Sequence, residues 1–119
     1  MANFNIKTIT TYETSDGREF DDIQEAQDWQ AALENIKDVI MLDDTFKSTT
    51  EVDEAFFVNI KTLEELKAFE LIREEEGLWA QIPDLGFWYY DSHFDEYKNI
   101  DKEISRLQDM KEKILNVKK

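Results

Sequence analysis

The sequence predicts a single small α+β domain, a mainly antiparallel sheet with three helices in the order β-α-β-α-β-β-α. Three observations carry this expectation. Short β-branched or aromatic runs alternate with segments whose apolar residues recur every three or four positions, the periods of strand and helix. At 119 residues the chain is one domain long, enough to bury roughly two-thirds of its unfolded surface. Apolar residues at 41% and aromatics at 13% supply a core, which a disordered acidic tail lacks. Residues 1–119 therefore read as one acidic domain, with an amphipathic helix over 93–119.

Phe4, Ile6, Thr8, Thr10 and Tyr12 alternate along residues 4–12, which predicts a strand. Ser15-Asp16-Gly17 is a turn signal. Phe20 followed by Asp21-Asp22 predicts a helix start, with an acidic N-cap and a hydrophobic staple. Ile23, Ala26, Trp29, Leu33, Ile36 and Ile40 then form one apolar stripe that ends around Met41 to Asp44.

Beyond a polar connector over 45–51, Ala55 to Ile60 reads as a central strand buried on both faces. Thr62-Leu63-Glu64-Glu65 is a capping box, opening a helix that turns Leu63, Leu66, Phe69 and Ile72 inward and stops at Gly77. Leu78 to Ile82 and Phe87 to Tyr90 flank Pro83-Asp84-Leu85-Gly86 as a hairpin. Ser92 is the expected cap of the last helix, which runs to about Val117. Its seam of Tyr97, Ile100, Ile104, Leu107 and Ile114 is interrupted by Lys111 and continues to Lys118. That helix either packs on the sheet or pairs with a copy of itself, making a homodimer.

Charge excludes several function classes. Against 28 Asp+Glu stand 14 Lys+Arg, a net charge of −14. Direct binding of a phosphate backbone needs a Lys/Arg face, and anionic membrane repels such a chain. No cysteine is present, so there is neither a disulfide framework nor a thiolate metal site. His93 is the sole histidine and sits beside a turn. Asp43 to Glu54 has the length of a calcium loop, but Thr45, Lys47 and Ser48 occupy positions that need acids or glycine. Three glycines build no phosphate-cradling loop. Paired-carboxylate hydrolysis would need a cleft with raised carboxylate pKa values. The expectation is a non-enzymatic chain without metal or cofactor. With no leader-like segment and no apolar run of about 20 residues, it is expected in a cytoplasm.

Two features stand above this background. Residues 1–92 hold 22 acids against 7 bases, whereas residues 93–119 hold 6 against 7. The first predicted helix concentrates the acid: Asp21, Asp22, Glu25, Asp28, Glu34 and Asp38 face the single base Lys37. Such a row at helical spacing can compete for a basic nucleic-acid groove on another protein. The second feature is Phe87-Trp88-Tyr89-Tyr90. Alternation puts Trp88 and Tyr90 on one face and Phe87 and Tyr89 on the other. One pair fills the core, and the other is either covered by a helix or left to anchor a partner. Trp88 and Tyr90 are the expected anchors if their face points outward; otherwise Phe87 and Tyr89 take that role. The expected partner-binding set is thus Asp21, Asp22, Glu25, Asp28, Glu34, Asp38, Trp88 and Tyr90.

The run Tyr12-Glu13-Thr14-Ser15-Asp16-Gly17-Arg18-Glu19-Phe20 into Glu25-Ala26 and Trp29 resembles the opening of small accessory proteins of Gram-positive bacteriophages and mobile elements. Phe56-Phe57-Val58-Asn59-Ile60-Lys61-Thr62, Glu76-Gly77-Leu78-Trp79 and Trp88-Tyr89-Tyr90-Asp91 look similar to the same group. The resemblance covers about a third of the chain, rests on turn and capping residues, and carries over no catalytic or binding residue. It implies a phage context in the host bacterial cytoplasm, where compact acidic proteins include anti-CRISPR inhibitors that occupy nucleic-acid channels. The expected function is an acidic inhibitor of a basic surface on a bacterial nuclease or defence complex. The alternative is a phage assembly or adaptor module that self-associates through its last helix.

Overall fold

A computed structural model describes residues 10–117. It is an α+β domain with a two-stranded and a four-stranded antiparallel sheet and three helices, the last of them long. Of the strand expected over residues 4–12, residues 4–9 lie outside the described residues. At its end Tyr12–Glu13 forms β1, paired with β2 (Glu19–Phe20) across a turn that Gly17 closes at φ 86°. The Asp16 carboxylate of that turn accepts from Thr14 Oγ1 at 2.5 Å and from Trp29 Nε1 at 2.9 Å. These two donors, the Thr14 hydroxyl foremost, hold its pKa below the usual carboxylate value.

Helix α1 (Ile23–Asn35) starts at the expected acidic cap, where Asp22 accepts from the Gln24 amide at 2.8 Å. It stops short of the expected end. A 3₁₀ turn over Ile36–Asp38 leads into β3 (Ile40–Leu42). Ile36 and Ile40 do continue the helical spacing, but Val39 and Met41 alternate into the core while Ile40 faces outward, the period of a strand. β3 pairs with β4 (Phe57–Ile60). Only one face of β4 is fully buried, through Val58 and Ile60; Phe57 and Asn59 on the other face are half-buried, not enclosed as expected.

Helix α2 (Leu63–Glu75) begins at its capping box: Thr62 Oγ1 accepts from the Glu65 amide at 3.1 Å, and Glu65 Oε1 accepts from the Lys61 amide at 3.2 Å. It ends at Gly77, φ 72°, with the Leu78 amide donating to Arg73 O and the Gly77 amide to Glu74 O. That pair of bonds is a Schellman motif.

The hairpin lies one strand later than expected. Among the described residues Leu78 to Pro83 pairs with no strand, and the hairpin partners are β5 (Gly86–Asp91) and β6 (Glu96–Asn99). Their turn contains Ser92 and places Asp95 at φ 50°. Ser92 is therefore not a helix cap. Asn99 caps helix α3 (Ile100–Asn116), accepting from the Lys102 amide at 3.0 Å, so the helix expected from residue 93 begins at Ile100.

The four-stranded sheet runs β3-β4-β5-β6. Its inner face supplies Met41, Val58, Ile60, Trp88 and Tyr97 to the core, and α2 covers them with Leu66 and Phe69. Helix α1 packs on α2, and the β1-β2 hairpin packs on α1 through Arg18, whose guanidinium lies 4.7 Å from the Trp29 ring centre and pairs with Glu75 of α2.

Candidate functional site

Small side chains let α1 and α2 approach closely, with Ala32 and Ala68 buried between them. Above this contact runs a groove of about 550 Å³ floored by Ala31, Ala32, Ala68 and Leu71. Its walls are acidic: Asp28 stands on α1, and Glu64, Glu70 and Glu74 stand on α2, against the single base Lys67. Spacings of three and four place the α2 residues on one helix face. Glu70 and Glu74 also line an adjoining hollow of about 470 Å³, bounded by Leu78, Trp79 and Gln81. Trp79 is 88% exposed. It points outward because the extended segment after Gly77 alternates: Ala80 and Ile82 enter the core, so Trp79 and Gln81 share the solvent face.

All six carboxylates expected on the first helix are exposed, and among the described residues none of them forms an ion pair. The groove acids Glu64, Glu70 and Glu74 form none either. The six do not make one row. Glu25 and Asp28 lie a turn apart on one face. Six residues separate Asp28 from Glu34, which sets Glu34 about 240° round the helix. There it accepts from Gln30 Nε2 at 3.2 Å. Asp22 is occupied as the cap, and Asp38 lies in the 3₁₀ turn, where its carbonyl accepts from Lys61 Nζ at 2.7 Å. Asp28 is thus the expected residue that the fold brings into the groove. Its other acids come from α2.

The aromatic expectation needs correction. Trp88 is 5% exposed, with Val58 as its cross-strand partner, and its Nε1 has no hydrogen-bond partner among the described residues. Tyr90 packs against the core beside Tyr97, ring centres 5.4 Å apart, and its hydroxyl donates to Asp95. Both rings lie on the face that joins the core with Leu66 and Phe69 of α2, so the outward face that their role as anchors requires is not present. The opposite pleat carries Phe87, half exposed, and Tyr89 beside it. Phe46, exposed, stacks on Phe57 at 4.6 Å on the same sheet. The sequence did not single out Trp79, expected on a paired strand, as the exposed aromatic of this region. The polar Gln81 two residues on was the available signal that this face is wet.

A smaller cavity of about 180 Å³ touches Arg73, Tyr90 and Tyr97. Arg73 is buried, and its donors are used structurally: Nε to Ala80 O at 2.6 Å, Nη1 to Val52 O at 3.0 Å and to Tyr97 Oη at 3.2 Å. Burial pushes the Tyr97 phenol up to about 12, the Arg73 charge acting against that rise. Burial first, and then the charges of Asp53 and Glu51, raise the pKa of Glu76. Among the described residues no group of three His, Asp or Glu is placed to hold a metal ion, and no helix is long and apolar enough to cross a membrane. In comparison with known proteins, no family model, curated protein or solved structure matches this chain.

Proposed function

We propose that this chain is a non-catalytic acidic binding protein that lays its α1–α2 groove on a basic, nucleic-acid-binding surface of a bacterial protein. The most concrete version is a phage-type inhibitor of a defence complex such as a CRISPR effector nuclease, working in the host cytoplasm. The observation that carries the reading is the groove itself: Asp28, Glu64, Glu70 and Glu74 line it without ion-pair partners among the described residues, and Trp79 stands exposed at its end. Unpaired carboxylates at helical spacing attract a cationic surface from a distance and accelerate encounter. Exposed Trp is a side chain that lengthens residence once contact is made. A Lys- or Arg-bearing segment about as wide as a helix or an extended strand suits the groove, its aliphatic stems lying on Ala31 and Leu71.

The test is displacement. A nucleic-acid-binding protein captured by this chain from a Gram-positive host lysate should lose its bound duplex as the acidic protein is added. Asp28→Lys with Glu70→Lys should abolish that loss. Partners that retain their nucleic acid at saturation would overturn the reading.

A further inference from the structure

Helix α3 has no buried residue. It packs against β5 and β6, and only Ile100 and Glu103 in its first turn are half-buried. Beyond them Ile104 is 46% exposed, Leu107 54% and Ile114 69%, with Met110 exposed between them. These residues recur every three or four positions, so they form one apolar stripe along a helix of about 25 Å. In a protein, helical stability comes mainly from packing the apolar face rather than from propensity. Among the described residues, none provides that packing beyond the first turn.

We propose that α3 is covered by α3 of a second copy, antiparallel, with Leu107 on the two-fold axis. Charge selects this occupant. Residues 1–92 carry a net −15, so most surfaces of two copies repel, whereas α3 holds four acids and four bases and is neutral. The order of those charges is self-complementary. With Leu107 opposite Leu107, Ile104 meets Met110 and Ile100 meets Ile114 of the other copy. At the same heights Asp101 meets Lys113, Lys102 meets Glu112, and Glu103 meets Lys111, each pair occurring twice by symmetry. A parallel pair would instead set Lys111 against Lys111 in the seam and match every charge with itself. Antiparallel packing also opposes the two helix dipoles and sends the two acidic domains to opposite ends.

Sedimentation and light scattering at micromolar to 100 micromolar protein give the association state, and cross-linking gives the direction. Twice the 14.2 kDa chain mass is expected. Leu107→Asp should raise the dimer dissociation constant more than about tenfold, with the circular dichroism of the remaining domain unchanged. Lys111→Glu should weaken the dimer, and adding Glu103→Lys should restore it. The chain has no cysteine, so single introduced thiols report geometry cleanly: Leu107→Cys should oxidise to a covalent dimer. Ile114→Cys alone should not, but should cross-link when mixed with Ile100→Cys. A monomer throughout the range would leave the stripe to a different protein and overturn the proposal. Dimerisation unaffected by Leu107→Asp, or self-cross-linking of Ile114→Cys as efficient as that of Leu107→Cys, would overturn it as well.

Discussion

Trp79 and Trp88 are chemically identical and physically opposite. Truncating Trp88, enclosed between β4 and α2, removes a core side chain; Trp88→Ala should cost about 3–5 kcal/mol of stability, measured by urea denaturation. Trp79 covers nothing in the core. Trp79→Ala should leave stability within about 0.5 kcal/mol while weakening partner binding by about 2 kcal/mol or more, read by titration. Tyr97 is the titrating residue of the core. Its hydroxyl donates to Ala55 O at 2.5 Å and accepts from Arg73 Nη1. The folded pKa of about 12 lies above the ordinary phenol value of 10.0. The folded state thus favours the protonated phenol, so this stabilisation is complete below pH 10 and is lost as pH rises towards 12. Tyr97→Phe should lower stability at pH 7 by about 1–3 kcal/mol, because Ala55 O loses its donor. It should also flatten the alkaline decline, as denaturation series from pH 8 to 11 would show.

At the scale of elements, Gly77 is where a single side chain should tell most. A Cβ there meets nothing within 4 Å, so only the positive φ opposes it. Gly77→Ala should cost about 1 kcal/mol in urea denaturation, by loosening the Schellman exit that aims Trp79. That exit and the Thr62 cap were legible in the sequence because each is a local rule: a hydroxyl three residues before a glutamate, and a glycine after the last apolar position. The errors arise where two rules coincide. Ile36 and Ile40 satisfy the helical period, yet Val39 and Met41 satisfy the strand period, and pairing with β4 decided between them. Ser92 reads as a helix cap but lies in a hairpin turn, which carries Tyr97 of β6 into the core. No local pattern says that α2 rather than solvent covers the Trp88 face. The acid on α1 was visible from composition, whereas the groove was not, since it needs Glu64, Glu70 and Glu74 from a helix some forty residues away.

For the whole molecule, the distribution of charge separates two surfaces. The α1–α2 groove sets four carboxylates against the single base Lys67, while α3 is neutral and apolar on one side. Pairing through α3 would present two acidic grooves on one particle, and a partner with two basic sites would bind it with avidity set by their spacing. Contact between the acidic groove and a basic surface is read in the association rate. Rates for a captured partner should be measured by stopped flow from about 50 to 500 mM salt, over which the screening length falls from about 14 to about 4 Å. The wild-type rate should fall steeply across that range, and the triple variant Asp28→Lys, Glu70→Lys, Glu74→Lys should be slow and nearly flat. A wild-type rate independent of salt, or a triple variant that associates as fast as wild type at about 50 mM, would rule the groove out as the contact with the partner.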